Sequence, residues 1–266
     1  MQQQKEAYRQ QGLGIAALSY DRAELLNHVA LRLGITYPLL SDPDSKAIRA
    51  FGILNQNFHP GEPPYGVPFP GTFIIDEHGI VRDKFFEQDD VERYTAASIL
   101  AHDFGTTGAA AATTETKHLK LSTSASDAIA WPGSRVTLVV DIDLKPGMHV
   151  YAPGVTGGYI PIDWKMPESL SWLALPAAYP ASHMLNLPVI HETVPVYEGH
   201  LHLTRDLTVA QEAAPGEFTV EGAFRYQACT DRKCYAPQTA PLKWILKVQP
   251  LDRQRAPVNL RRAIAR

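Results

Sequence analysis

The stretch EFTVEGAFRYQACTDRKCYAPQTAPLKWILKV, residues 217–248, decides the fold of the second half of the chain. Apolar and polar residues alternate along residues 218–226, as in a strand with one buried face. The apolar face carries Phe218, Val220, Phe224 and Tyr226. The polar face carries Thr219, Glu221, Arg225, Gln227 and Cys229. A second apolar run follows at 242–248, so the stretch predicts two strands joined by a segment that holds both cysteines of the chain, Cys229 and Cys234.

Two cysteines this close can form a structural staple, half of a metal site or a reversible redox pair. As a staple they close a six-residue loop, which the chain-entropy relation values at about 2 kcal/mol. As a metal site they lack two further ligands at paired spacing. As a redox pair they are local, predicted to be solvent-accessible, and separated in part by Arg232 and Lys233, whose charges favour the thiolate. The residues alone favour redox exchange over metal and leave the staple open.

Short strands separated by Pro- and Gly-rich breaks continue through the rest of the second half. The period-two runs fall at 135–144, 200–209, 217–228 and 242–248. This pattern, without an amphipathic helix, predicts an all-β sandwich. His200 and His202 alternate along one of these strands, and we interpret them as solvated surface residues rather than metal ligands.

The first part of the chain alternates strand and helix signals, as in an α/β domain. The apolar run at 13–19 predicts a buried strand. Residues 21–34 place apolar side chains at helical spacing and end at Gly34, which suits a helix C-cap. Further strands are predicted at 71–76 and 80–87, and further helices at 46–51 and 89–104.

Composition shifts suggest the domain boundaries. We expect an α/β domain over 1–104, a flexible linker of small residues over 105–117, a β-sandwich over 118–252 and a basic tail over 253–266. The tail carries five arginines and no acidic residue. It is interpreted as a solvated basic tail, with an anionic partner as the alternative.

Charge and hydropathy narrow the classes of function. The 266-residue chain has a net charge of −3, which does not favour nucleic-acid binding. Its apolar runs are shorter than a membrane span, and the N-terminus has no signal-peptide pattern. We therefore expect no nucleic acid, no membrane span, no metal and no cofactor, and the sequence leaves the compartment and the oligomeric state open.

Four segments resemble the N-terminal periplasmic domain of the thiol:disulfide interchange protein DsbD. They are LKPGMHVYAPG (144–154), GYIPIDW (158–164), VPVYEGHLHL (194–203) and FRYQACTDRKCYAPQTAPLKWILKV (224–248). The resemblance covers about 119–251 and implies an immunoglobulin-like sandwich in a periplasmic family. It implies that Cys229 and Cys234 are the exchanging pair, that Tyr151 is an aromatic beside them, and that a shielding loop falls near 189–192.

The first part resembles the AhpC/TSA (redoxin, peroxiredoxin) branch of the thioredoxin fold. The resemblance covers about 3–100 and rests on GLGIAALSYD (12–21), YPLLSDPDSKAIRAFGI (37–53) and YGVPFPGTFIIDEHGIVRDKFF (65–86). It implies that Pro70 is the family's cis-proline. The family's nucleophilic cysteine follows a first strand that this sequence does not show, so we expect either a start further upstream or a degenerate scaffold.

Together these observations predict two domains, an α/β thioredoxin-like domain incomplete at its N-terminus and an all-β immunoglobulin-like sandwich. The expected activity is that of a thiol–disulfide oxidoreductase working through Cys229 and Cys234 with thioredoxin-like donors or acceptors. Peroxiredoxin-like activity would need the N-terminal cysteine segment. The alternative is a non-catalytic interaction protein with a structural hairpin disulfide.

Overall fold

The computed structural model of the chain describes residues 1–62, 64–86, 92–108, 112–187 and 192–260. The chain divides into two compact units. One unit comprises Met1–Ile99 with Leu251–Arg266, and the other comprises Leu100–Pro250.

The first unit has a mixed α/β arrangement. The α-helices among the described residues are α1 (Lys5–Gln10), α2 (Ala23–Leu33), α3 (Lys46–Ala50) and α4 (Ala96–Phe104). The strands before α4 are β1 (Ala17–Ser19), β2 (Leu39–Ser41), β3 (Gly71–Ile75), β4 (Val81–Phe86) and β5 (Arg93–Tyr94). Strands β1 and β2 are parallel, whereas β3 and β4 form an antiparallel hairpin. These pairings confirm the α/β interpretation of this region.

Helix α2 ends where the sequence predicts. Gly34 adopts the left-handed conformation with φ 63°, and its N–H bonds to the carbonyl of Ala30. A residue without Cβ adopts this conformation at little cost, which is why glycine is common at this position. Helix α4 differs from the prediction of 89–104 because residues 93–94 form a strand, and residues 87–91 lie outside the described part of the chain.

The peptide bond before Pro70 is trans, and no cis peptide bond occurs among the described residues. The expectation of a cis-proline at Pro70 is therefore wrong for this structure. The trans form is the intrinsically favoured isomer of an X–Pro bond. Pro70 is half-buried and directly precedes β3.

In the described part of the second unit, the regular secondary structure after the end of α4 consists of strands. Its first strands are β6 (Ala112–Glu115), β7 (Leu119–Ala125), β8 (Ile129–Ala130), β9 (Ser134–Leu144), β10 (His149–Tyr151), β11 (Asp163–Lys165) and β12 (Trp172–Ala178). The remaining strands are β13 (His183–Leu187), β14 (Glu192–Glu198), β15 (His200–Val209), β16 (Gly216–Tyr226), β17 (Ala228–Cys229) and β18 (Gln238–Val248).

Two sheets of the second unit enclose its main core. One has the strand order β12-β15-β9-β7-β6, and the other has the order β11-β16-β18-β8. Strands β9, β15, β16 and β18 each bury alternate side chains in one cluster, as two facing sheets require. Its largest buried members include Trp244, Phe224, Tyr226, Leu138 and Ile142. This arrangement confirms the sandwich, and β16 buries the face predicted from its alternation, with Phe218 half-buried at its margin.

A third, smaller sheet has the order β13-β14-β10-β17 and carries the cysteine segment. It is antiparallel throughout its described pairings. Strand β6 lies within the range for which small residues predict a linker, and it pairs with β7. The predicted shielding loop at 189–192 falls largely outside the described residues, and only Glu192, the first residue of β14, is described.

Candidate functional site

The two cysteines are held opposite each other by a tight reversal of the chain. They form an antiparallel bridge, and the structure joins their sulfur atoms in a disulfide. On one side the N–H of Thr230 donates to the carbonyl of Lys233 at 2.8 Å. On the other, the N–H of Tyr235 donates to the carbonyl of Ala228 at 2.9 Å. The cysteines therefore occupy a non-hydrogen-bonded pair, where opposing side chains lie closest, with their Cα atoms 4.0 Å apart.

The two sulfur-bearing residues differ sharply in exposure. Cys229 is 0% exposed, whereas Cys234 is exposed. The expectation of two accessible cysteines is thus wrong for Cys229. Strand β16 ends at Tyr226, and β17 joins the smaller sheet beside β10. The sequence pattern puts Cys229 on a polar face, but in this sheet a second apolar cluster covers it.

That second cluster surrounds the disulfide with side chains from three strands. Its buried members are Tyr151, Val194, Val196 and Cys229, and Val155, Tyr159, Leu185 and Leu187 pack against them while partly exposed. The sequence places Tyr151 beside the cysteines by resemblance, and the structure brings it there. Among the described residues, Cys229 lies inside this cluster, whereas Cys234 is exposed.

Tyr151 contacts the sulfur of the exposed cysteine directly. Its hydroxyl oxygen lies 3.4 Å from Sγ of Cys234. Because a disulfide sulfur carries no hydrogen, the tyrosine hydroxyl is the donor in this contact. Burial raises the pKa of Tyr151 above its ordinary value, and the charge of Glu192 raises this pKa further. Tyr151 therefore stays protonated, as a donor to Cys234, across the physiological range.

A second tyrosine extends this arrangement towards an acidic residue. The ring of Tyr159 lies 4.5 Å from the ring of Tyr151, measured between centroids. Its hydroxyl donates to the carboxylate of Glu192. This hydrogen bond is the main cause that raises the pKa of Tyr159 to about 12. Tyr159 lies in the GYIPIDW segment of the DsbD resemblance, but no sequence pattern marks it as a site residue.

The predicted cations lie on the turn but face outwards. Arg232 approaches the carboxylate of Asp231 at 3.7 Å. The ammonium of Lys233 lies 5.0 Å from the ring centre of Tyr235. Both side chains are exposed, so solvent screens their effect on a nearby thiolate. Their role in favouring the thiolate remains a prediction.

One buried histidine was missed by the sequence analysis. His149 on β10 lies opposite Cys229 on β17 in the sheet register, and its ring centre lies 5.6 Å from that of Tyr151. The period-two pattern of a strand contains the necessary signal, because residues 149 and 151 must share a face. Resemblance identified only the aromatic residue of this pair.

The other histidines on the strands form surface pairs. Nδ1 of His200 lies 2.8 Å from Asp143, and Nδ1 of His202 lies 2.7 Å from Asp141. No three His, Cys, Asp or Glu side chains within the described ranges are grouped so that they could hold a metal ion. Within those same ranges, every helix is too short or too polar to span a bilayer.

Sequence comparison matches both units to known families. Residues 1–84 match the family model of AhpC/TSA, and residues 119–243 match that of the thiol:disulfide interchange protein DsbD, N-terminal. Two peroxiredoxin-type proteins of Mycobacterium tuberculosis, MT2597 and Rv2521, are each 37% identical to this chain over 68 residues. That alignment covers 26% of this chain and 43% of each relative, so the chain spans less than half the length of these curated relatives.

Comparison with solved structures gives matches of low identity, among them the following two. The N-terminal periplasmic domain of ScsB from Proteus mirabilis is 12% identical, with a TM-score of 0.36 over 53% of this chain and 51% of that domain. The reduced N-terminal domain of DsbD from Neisseria meningitidis is 13% identical, with a TM-score of 0.29 over 41% of this chain and 77% of that domain.

The two family matches agree with the chemistry of the site. AhpC/TSA and DsbD N-terminal domains are both thiol redox families, and they support a general thiol–disulfide redox role for the chain. The chain therefore has one region similar to AhpC/TSA proteins and a second region similar to the N-terminal domain of DsbD.

Proposed function

We propose that this protein is a thiol–disulfide oxidoreductase that exchanges electrons with thioredoxin-like protein partners through the Cys229–Cys234 pair. These are the two cysteines of the sequence, so any thiol exchange by its own residues passes through them. The observation that carries the proposal is the unequal exposure of the two sulfur-bearing residues. A buried residue bonded to an exposed one presents a single point of attack to a partner thiolate.

Cys234, the exposed residue of the pair, is the point of attack. A partner thiolate forms a new S–S bond to Sγ of Cys234, and the bond between Cys234 and Cys229 breaks. The electron pair of the broken bond remains on Sγ of Cys229. A second thiolate of the partner then attacks the partner sulfur that is bonded to Cys234. This breaks the mixed disulfide and releases Cys234 as a thiolate. The partner leaves oxidised, and the cysteine pair is reduced.

Tyr151 suits the second half of this exchange. Its hydroxyl lies beside Sγ of Cys234 and can donate a hydrogen bond to the thiolate formed there. Hydrogen bonds to charged groups are worth about 1.5–3 kcal/mol, more than those to neutral groups. Such a donor makes Cys234 a better leaving group and a more abundant nucleophile at neutral pH.

The test compares two variants that each keep one thiol. Cys229→Ala leaves Cys234, and Cys234→Ala leaves Cys229. Each variant is mixed with oxidised glutathione, and in a second reaction with a thioredoxin-like protein. In that protein the resolving cysteine is changed to alanine, and the remaining thiol is activated beforehand with an aromatic disulfide. The expected result is rapid mixed-disulfide formation by Cys229→Ala, measured by mass spectrometry, and slow formation by Cys234→Ala. Equal rates, or no reaction by either variant, would contradict the proposal.

The alternative of a purely structural disulfide makes a different prediction in the same experiment. A staple has no need for a reactive sulfur, and its free thiol would react no faster than an ordinary exposed cysteine. A control peptide with the sequence TDRKCYAP supplies that reference rate for Cys234 in the absence of the fold. Reaction of Cys229→Ala well above the peptide rate supports exchange.

A further inference from the structure

Three strands of the smaller sheet place an acid, a histidine and the buried cysteine in one row. The sheet register pairs His149 on β10 with Cys229 on β17. It also pairs His149 with Glu198 on β14. Directly opposed residues of antiparallel strands project to the same face with Cβ atoms about 4.5–5.5 Å apart. The order Glu198, His149, Cys229 therefore runs straight across the sheet.

The surroundings of His149 suit a residue that donates and accepts protons. It is 3% exposed, and its Nε2 atom is buried without a hydrogen-bond partner in the described part of the chain. A buried ring nitrogen without a partner is costly, so a histidine at such a position needs a reason. The opposite face of the same strand is apolar: Val150 and Ala228 pair there and belong to the main core.

We propose that His149 is the general acid–base residue of the buried cysteine: it gives a proton to Sγ of Cys229 when the disulfide is opened and takes it back when the disulfide re-forms. The inference rests on the proposed function, since it needs exchange at Cys234. It adds a residue and a proton path to that exchange.

The proton is needed because Cys229 is buried. When a thiolate attacks Cys234, the electron pair of the S–S bond remains on Sγ of Cys229, in a cluster made of Tyr151, Val194 and Val196. An apolar surrounding strongly disfavours the charged form of a thiol. His149, which is neutral at rest, takes up a proton from solvent and passes it to Sγ of Cys229, and this leaves a neutral thiol and a neutral imidazole. No charge then remains in the cluster.

The reverse direction uses the same two groups. After Cys234 has attacked a substrate disulfide, the thiol of Cys229 must lose its proton before it can attack Sγ of Cys234. The neutral imidazole of His149 accepts that proton, the disulfide re-forms, and the substrate leaves as a thiolate. The carboxylate of Glu198 favours the imidazolium that results.

The charged groups around His149 come from every neighbouring element. Burial lowers the pKa of His149 below its ordinary value, and the imidazole of His183 on β13, whose Nε2 lies 2.9 Å from Oε2 of Glu198, also lowers it. Glu198 on β14 and Asp231 in the turn act in the opposite direction. On β10 itself the neighbour is the phenol of Tyr151. His149 is thus poised as a neutral base at neutral pH, which suits removal of a thiol proton.

Reduced protein treated with 5,5′-dithiobis(2-nitrobenzoate) separates the two cysteines in time. Attack by Cys234 releases the first coloured thiolate, and intramolecular attack by Cys229 on the mixed disulfide releases the second. We expect His149→Gln to slow the second release on the order of 100-fold at neutral pH while leaving the first release unchanged. In the variant, the second release should rise with pH only as Cys229 itself ionises. The control His200→Gln, a histidine on β15 of another sheet, should change neither release.

Other outcomes are equally decisive. An unchanged second release in His149→Gln, with an unchanged pH profile, overturns the role of His149 and leaves the proposed function standing. A wild-type protein that gives no second release contradicts the exchanging pair itself, so the two failures are distinguishable. If His149→Gln does not fold, as judged by circular dichroism, Glu198→Gln tests the same row at a half-exposed position and should slow the second release by a smaller factor.

Unmodified protein supplies an independent readout. Proton chemical shifts of the histidine rings, followed by NMR between pH 4 and 9, give the titration of His149 in the disulfide and dithiol forms. A group that exchanges a proton with Cys229 should titrate at different pH in the two forms, whereas His200 should not. Identical titration of His149 in both forms would overturn the proposal.

Discussion

At the scale of single residues, one covalent bond joins a buried residue to an exposed one. Cys229 lies in a cluster with Tyr151, while Cys234 meets solvent and the Tyr151 hydroxyl. In the proposed exchange, Cys234 meets the partner, Tyr151 donates to its sulfur, and Cys229 resolves. His149 lies across the sheet from Cys229 and supplies the proton that burial makes necessary.

Replacing Tyr151 with phenylalanine removes the donor at Cys234 and keeps the ring. In a Cys229→Ala background, we expect Tyr151→Phe to raise the pKa of the Cys234 thiol by about one unit, because a hydrogen bond to a charged group is worth about 1.5–3 kcal/mol. Thiolate absorbance at 240 nm measures this shift. Tyr197→Phe is the matched control, since the Tyr197 hydroxyl donates to the carbonyl of Pro180. An equal shift in both variants would contradict the role of Tyr151.

The lowered pKa of His149 predicts how stability depends on pH. A histidine whose pKa is depressed in the fold binds fewer protons there than in the unfolded chain as pH falls below about 6.5. Its contribution is therefore present above that pH and is lost as pH falls towards the lower folded-state pKa. Urea unfolding at pH 7.5 and 5.5 should show a smaller loss of stability in His149→Gln than in wild type. An equal or larger loss in the variant would refute this.

At the scale of elements, the short strand β17 determines the exposure of the cysteines. The sequence is sufficient to predict β9, β15, β16 and β18, because their period-two patterns are long. It is not sufficient for Cys229. Alternation puts this residue on the polar face of β16, but β17 leaves that sheet and pairs with β10, whose position depends on the whole sandwich.

Local sequence patterns are also insufficient to predict other residues of the site. Tyr151 was found through resemblance, and its neighbour His149 was missed although a strand must place both on one face. Glu192 reaches Tyr159 from a strand distant in sequence, which no local pattern indicates. In the α/β unit the helix end at Gly34 was predictable from its residue type, because glycine tolerates the left-handed conformation.

The turn between the cysteines is closed by hydrogen bonds to the side chain of Thr230, and these should affect the reduction potential of the pair. Oγ1 of Thr230 accepts from the N–H groups of Lys233 and Arg232 at 3.1 and 3.3 Å. Because the disulfide bond already holds the turn closed, these hydrogen bonds form with less loss of entropy in the disulfide form, so Thr230→Ala should destabilise the disulfide form more than the dithiol form. One hydrogen bond of about 0.5–1.5 kcal/mol then makes the reduction potential less negative by about 10–30 mV.

Thr230→Ser is the matched control for this turn, because it retains the hydroxyl. Its reduction potential should remain at the wild-type value in the same glutathione buffers. A shift of equal size in both variants would mean that the methyl group, rather than the hydrogen bonds, matters. A more negative potential in Thr230→Ala would contradict the argument.

At the scale of the whole molecule, the chain consists of two units with different architecture, and the cysteines lie in the second. The composition predicts a sandwich that begins at 118, after a linker. In the structure β6 pairs with β7 through four residues, and the hydroxyl of Tyr226 donates to Thr116 at 2.9 Å. We therefore propose that the folding unit of the sandwich includes β6.

Two fragments test this boundary. The fragment 106–250 keeps β6, whereas 118–250 removes it, exposes the edge of β7 and leaves the Tyr226 hydroxyl without Thr116. We expect the shorter fragment to be less stable by at least about 1 kcal/mol, since several hydrogen bonds of about 0.5–1.5 kcal/mol each are lost. Urea unfolding measures the difference. Equal stability of the two fragments would place the boundary at 118.

The reduction potential of the Cys229–Cys234 pair tests the central claim most directly. The full chain is equilibrated in glutathione and dithiothreitol buffers of known potential, and the dithiol fraction is measured by mass spectrometry after alkylation. An exchanging pair should have a potential above about −300 mV, near those of cellular thiol proteins. A value below about −300 mV is typical of a structural disulfide and would contradict the redox role.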